Sequence, residues 1–296
     1  MMRGMARRGI ATFLFVALAL GATEAKAGPW APLPGHGYVK IWLKYFYGFS
    51  FNDGQMQSFG FGGYQEVSLS TYAEVGVLPN LGLVLHAPLL QTFHLEDPRD
   101  GSYQSHVGPG DPTFSLRWQF LAHERFVAAL ELGVRAPFAR PGPVQDFYGT
   151  DEGNPRLGAL EIGTGVWDVP LSVGAGYAWD TVYVAASVGY ILRTGGYDHV
   201  LTWSAEGGAT IVARLGVRGR VTAYHSLDVH FDDAAPGHLS PNGIGNGTSY
   251  IGFSIEADYQ FQPNYWLGLS VEGGIPGTLA RQSGGPVITL YFAHRF

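Results

Sequence analysis

Three stretches of this 296-residue chain carry side chains that could do chemistry. Gly237-His238-Leu239-Ser240-Pro241-Asn242-Gly243 gathers a hydroxyl, an imidazole and a carboxamide. Attack on an ester needs such a set, with serine as nucleophile, histidine as base and asparagine as its orienter. Pro241, Asn242 and Gly243 are equally the residues of a turn, and turn chemistry is the better account. Asp228-Val229-His230-Phe231-Asp232-Asp233 offers oxygen and imidazole ligands to a cation. It lacks the spacing of an EF-hand loop and reads as a solvated acidic loop. Gly108-Pro109-Gly110-Asp111 looks superficially like a phosphate-cradling loop, but it precedes a strand and not a helix. No catalytic residue, metal or cofactor is therefore assigned.

The composition narrows what could position such groups. Arg3, Arg7 and Arg8 precede an apolar run from Ile10 to Leu20, and Ala25-Lys26-Ala27 follows as an A-x-A site. Residues 1–27 are thus expected to be a cleaved secretory signal. Cysteine is absent, which excludes disulfides, zinc–thiolate sites, Fe–S clusters and a thiol nucleophile. The formal net charge of −6 argues against a nucleic-acid partner. Charged residues make up only 14% where about 25% is usual, aromatics reach 14%, and glycines number 43. With no long apolar run after the signal, a helical membrane protein is disfavoured.

Period-two alternation supplies the architecture. After a proline-rich lead at 28–36, twelve alternating segments are expected at 36–49, 65–78, 81–92, 111–121, 126–135, 162–178, 181–193, 198–212, 215–227, 249–261, 265–273 and 287–296. Five tight turns, near Pro79-Asn80, His123, Asp180, Arg214 and Pro263, alternate with mostly longer links. This is the pattern of an all-β, antiparallel, up-and-down transmembrane barrel over 37–296, with short periplasmic turns and longer external loops. Tyr45, Tyr47, Trp118, Phe120, Tyr259, Phe261 and Tyr265 near segment ends would form its aromatic girdles.

One face of each segment then meets lipid and the other a polar interior. The inner face would carry Lys40, Trp42, Lys44, Glu66, Tyr72, Glu74, Arg117, Glu131, Arg135, Tyr183, Arg218, Arg220, Glu256, Asp258, Glu272 and Arg295 as pore-lining residues. Arg117 should face Glu131 across one turn, and Arg218 and Arg220 should face Glu256 and Asp258. Such pairs either brace the interior or line a selective path. About eight strands are filled by side chains and 16–18 leave an open channel, so twelve suggests a narrow conduit.

The last segment ends on Phe296, and this end resembles the closing strand of bacterial outer-membrane barrels, where a C-terminal Phe belongs to the assembly signal. Two further stretches resemble the MetA-pathway-of-phenol-degradation family of transporters. They are Gly108-Pro109-Gly110-Asp111-Pro112-Thr113-Phe114-Ser115-Leu116-Arg117-Trp118 and Gly163-Thr164-Gly165-Val166-Trp167-Asp168 with the strand after it. The resemblance implies an outer-membrane barrel passing aromatic or other hydrophobic compounds, with Trp167 and Asp168 at its external mouth. The 237–243 stretch also loosely resembles the His-x-Ser-Asn-Gly stretch of outer-membrane phospholipase A, but inserts Pro241 and lies in a loop. The expectation is a passive channel in a Gram-negative outer membrane. Its partners would be membrane lipid, lipopolysaccharide, the barrel-assembly machinery and a small solute. A lipid-modifying hydrolase and a non-conducting structural or adhesive barrel are the alternatives.

Overall fold

The structure is a computed structural model that describes residues 28–52, 55–56, 58–96, 101, 103–140, 160–212, 214–227 and 242–296, with 59–62 as backbone only. Its strands are β1 (Gly37–Asn52), β2 (Ser58–Leu78), β3 (Leu81–Glu96), β4 (Tyr103–Gly108), β5 (Thr113–His123), β6 (Phe126–Arg135) and β7 (Asp168–Ala178). They continue as β8 (Val182–Arg193), β9 (Val200–Val212), β10 (Leu215–Ser226), β11 (Ser249–Gln262), β12 (Tyr265–Gly274), β13 (Gln282–Gly284) and β14 (Val287–Arg295). Every ladder between them is antiparallel, and β1 pairs with both β2 and β14, so the sheet closes on itself.

Fourteen strands make twelve walls. β4 and β5 share one neighbour, pairing with residues 91–96 and 81–86 of β3. Between them Pro109 and Pro112 have no N–H for a ladder. Likewise β13 pairs with Ser50–Asn52 of β1 while β14 pairs with Tyr38–Phe46, and Gly285-Pro286 makes the break. The links expected at 94–110 and 274–286 thus contain short strands of their own. Two boundaries also move. β2 starts at Ser58, where the glycine-rich run 58–64 reads as a loop yet still ladders with the upper part of β1. β7 starts only at Asp168, because residues 160–167 are held by side-chain contacts and not by a ladder.

All five short connections lie at one end of the barrel, here called the turn end. Asn80, Glu124 and Asn264 take positive φ there, the left-handed conformation that tight hairpins demand. Both chain ends meet at this end too: Gly37 N–H donates to the Phe296 carbonyl at 2.9 Å, and Phe296 N–H returns to the Gly37 carbonyl at 3.0 Å. Phe296 therefore closes the ring at the first residue of β1. The longer connections share the opposite, loop end.

The alternation resolves as an apolar outside and a polar inside. Ile41, Leu43, Leu69, Leu116, Leu132, Val188, Ile255, Leu269 and Leu290 all project outward and are exposed, a distribution stable only against hydrocarbon. The expected girdle residues Trp118, Phe120, Tyr259 and Phe261 stand outward near the turn end. Leu89 and Leu90 are adjacent yet both exposed, because the β2–β3 register shifts beside them and one extra residue turns the pattern over. At the loop end Phe46, Phe51, Tyr64, Phe93 and Leu95 pack with Ala139, Leu160 and Ile162 into a buried cluster. That cluster draws the ends of the β6–β7 connection over the barrel.

Leu290 pairs with Leu43 on one side and Leu269 on the other, in the middle of the lipid-facing band. Leu290→Arg should destabilise the barrel by about 2–4 kcal/mol, read from denaturant unfolding in lipid vesicles. An unchanged midpoint would contradict the outward assignment.

Candidate solute pathway

The inner faces of the strands enclose a cavity of ≈ 830 Å³. Its wall carries Lys40, Trp42, Lys44, Glu66, Tyr72, Glu74, Arg117, Glu131, Arg218, Arg220, Glu256 and Glu272 from the expected set. Tyr183, Asp258, Arg135 and Arg295, expected there too, are not among its lining residues; Tyr183 and Asp258 contact charged lining residues, Arg135 pairs with Asp168, and Arg295 stands over Trp266.

Two ion networks occupy the turn-end half. In the first, Arg117 bonds Glu131 through Nε and Glu74 through Nη1, both at 2.9 Å, and reaches the Tyr72 hydroxyl at 3.1 Å. Tyr72 in turn donates to Glu74 at 2.6 Å. The Arg117–Glu131 pair follows from strand register, since the two residues face each other across the β5–β6 turn. In the second, Arg218 lies opposite Glu256 and pairs with it at 3.1 Å, while also contacting Asp258. Lys40 reaches Glu256 from three walls away at 3.1 Å and sits 3.7 Å over the Tyr291 ring, whose hydroxyl donates to Glu256 at 2.6 Å.

Arg220 departs from expectation. It faces Ser254 on β11, and its guanidinium turns instead to Glu206 on β9, which also accepts from the Tyr183 hydroxyl. Lys44 pairs with Glu66 near the loop end. Arg295 lies opposite Tyr38, with Lys40 two residues further along the same face of β1, and its guanidinium stands 5.7 Å over Trp266.

Luminal tyrosines reach these carboxylates because glycines on the next strand leave room. A Cβ on Gly208 would lie 2.3 Å from the Tyr183 ring, and one on Gly268 would lie 2.1 Å from that of Tyr291. Each ring folds over a neighbour that has no side chain. Between the networks and the loop end the wall is hydroxyl-rich, with Ser172, Ser187, Ser204, Ser254, Ser270 and Thr289. Aromatic faces border this zone: Trp42 stacks on His86 and Tyr224 stacks on Tyr250.

At the loop end the motif residues find structural work. Asp111 accepts from the backbone N–H of Ala139 at 2.7 Å and of Gly165 at 3.1 Å, and from the Thr164 hydroxyl at 3.2 Å. It ties both ends of the β6–β7 connection to the start of β5. Gly163 must be glycine here, since a Cβ would meet the Asp111 carboxylate at 2.4 Å. Asp168 is fully buried, 2.9 Å from Arg135 and 3.9 Å from Arg193, while Trp167 is exposed. Both residues expected at the external mouth lie at the loop end, Asp168 as a buried counter-ion and Trp167 exposed.

Glu161 accepts from the Tyr197 hydroxyl at 3.1 Å. Burial pushes its carboxyl above the usual range, partly offset by that hydrogen bond. A raised folded-state pKa means the contribution is full below the unfolded value and fades as pH rises through the folded one. The Asn242 carboxamide donates to the Glu161 carbonyl, so it ties loops together. His238, Ser240 and the 228–233 acidic stretch lie outside the described residues.

This arrangement defines the fold class: a closed, twelve-walled, outer-membrane-type β-barrel with a polar interior. Among solved structures, the chain is similar to the COG4313 outer membrane channel from Pseudomonas putida F1. That match has a TM-score of 0.64 and 12% identity over 93% of this chain and 100% of that one. It is also similar to the NanC porin, with a TM-score of 0.51 and 8% identity over 86% of this chain and 98% of that one. At these identities the likeness is one of fold, and it agrees with the resemblance drawn from the two motif stretches. No protein-family model matches the chain, and no curated protein matches it in sequence.

Removing the Asp111 carboxylate deletes three hydrogen bonds to one charged acceptor. Asp111→Ala should cost about 2–4 kcal/mol. It should also speed amide hydrogen exchange at 136–140 and 160–167 while the strands stay protected; equal exchange there in both proteins would refute the tie.

Proposed function

We propose that this protein is a passive channel of the Gram-negative outer membrane for small, uncharged solutes, aromatic ones included. Its turn end would face the periplasm and its loop end the exterior. The observation that carries this is the state of the luminal charges. Lys40, Lys44, Arg117, Arg218 and Arg220 each hold a carboxylate, so the described wall offers no free cation; of its carboxylates, Glu272 has the Ser270 hydroxyl and no ion pair among the described residues. An anion entering would have to displace one of these carboxylates from its cation, and a cation would meet Glu272 as the one carboxylate held by a hydroxyl only among the described residues. A neutral solute meets hydroxyls from Ser187, Ser204 and Ser254 and flat faces at Trp42 and Tyr250, which suit a small ring bearing hydroxyl groups.

The same reading makes the protein a non-enzyme. Asn242, the would-be orienter of a Ser–His pair, already spends its amide on the Glu161 carbonyl. Trp167 at the loop end and Phe296 at the turn end complete the assignment: the first stands exposed at the external mouth, the second serves recognition by the barrel-assembly machinery. Export would follow removal of residues 1–27, and lipopolysaccharide would surround the loop end.

Liposome swelling tests the reading. Neutral solutes of phenol or pentose size should enter faster than charged solutes of equal size, and planar-bilayer reversal potentials should show weak ion selectivity. Swelling in which ions of either sign outpace neutral solutes of equal size would refute it. Arg117→Ala uncovers Glu74 and Glu131 together, so the reversal potential should move toward cation preference.

A further inference from the structure

The lead before β1 does not hang below the barrel. Pro34 bridges to Gly76 of β2, and Gly35 N–H donates to the Gly76 carbonyl at 2.9 Å. From there the chain turns back into the lumen. Ala31 N–H donates to the Gln119 side chain at 2.9 Å, and the Trp30 carbonyl accepts from Arg117 at 3.4 Å. The Trp30 ring then meets Tyr183 edge-on, with centroids 5.7 Å apart, and Gly28 comes against Ala185 of β8. β2 and β8 stand five walls apart in a ring of twelve, so this short segment bridges most of the turn-end mouth.

The wall is shaped for it. A Cβ on Gly76 would lie 2.3 Å from the Leu33 carbonyl oxygen, and one on Gly176 would lie 2.5 Å from the Trp30 ring. Glycines in strands ordinarily cost stability, so two of them at the points of contact mark close approach as their reason. The first ion network joins in, since Arg117 holds Glu74, Glu131 and the Trp30 carbonyl at once. Irregular backbone at membrane depth is tolerated where protein buries it or a polar cavity receives it, and both hold here.

We propose that residues 28–35, anchored by Trp30, form the constriction that sets the solute size limit at the turn end. The proposal rests on the channel reading above. A solute leaving the cavity must pass beside this bridge, through the gaps left between it and the two ion networks. Trp30 is then the specificity-determining side chain, and Tyr183, Gly176 and Arg117 are its positioning partners.

The cysteine-free chain permits a direct test. A Cβ on Gly174 would stand 3.6 Å from the Pro29 Cβ, within the range of a disulfide. The full-length protein carrying Pro29→Cys and Gly174→Cys should therefore cross-link on mild oxidation. In liposome swelling with glycerol, arabinose and sucrose, the oxidised protein should keep the wild-type size limit. A variant lacking 28–35 should admit sucrose several-fold faster, and Trp30→Ala should shift the limit the same way by less. Heat-modifiable gel mobility shows whether each variant is folded, and Trp30→Ala decides if the deletion is not. Failure of the cysteines to join in folded protein overturns the proposal. So does an unaltered size limit in the folded variants while glycerol and arabinose still pass; the channel reading would survive that result. No flux of any solute, with or without the lead, overturns both.

Discussion

Every physical feature of this molecule descends from one constraint: hydrocarbon offers the backbone nothing to bond with. An antiparallel sheet satisfies its amides only if its first and last strands meet, and here they meet along Tyr38–Phe46 and Val287–Arg295. Closure decides the rest. Once the ring is shut, alternate side chains are committed either to lipid or to the interior. The outward set needs no specificity beyond being apolar. The inward set is enclosed with whatever charges it carries.

Enclosure explains why the interior charges come in clusters. A carboxylate or guanidinium confined there loses part of its water, and only a well-placed partner offsets that loss. Three devices supply partners: strand register for Arg117 with Glu131 and Arg218 with Glu256, reach across the lumen for Lys40, and tyrosine hydroxyls donated over glycine gaps. The second network joins β1, β10, β11 and β14, so it spans the seam where the ring closes. Charge pairing and closure thus reinforce one another at the place where the sheet is made from the two ends of the chain.

Strands were legible because a two-residue period survives in each long segment and because short turns carry Asn, Pro and Asp. Pairings across a single turn were legible for the same reason, as Arg117 and Glu131 show. Arg220 was not, since a luminal residue has neighbours on both sides and sequence height alone does not choose between Glu206 and the β11 acids. Lys40–Glu256 joins strands far apart in the chain, beyond any local pattern. The Gly28–Gly35 run announced through its prolines that it was no strand, but nothing in it said that it turns inward. Asp111 stood out as part of a motif, while its partners Ala139 and Gly165 lie where periodicity fails, so its role as a tie became visible only in three dimensions.

The way Asp111 holds the β6–β7 connection bears on how that connection can change over generations. Two of its three bonds go to backbone amides, and a backbone amide is present whatever side chain a residue carries. The anchor therefore constrains the path of the chain and scarcely its identity. A loop moored in this way can exchange side chains over generations and still leave its two ends at the same place beside the start of β5.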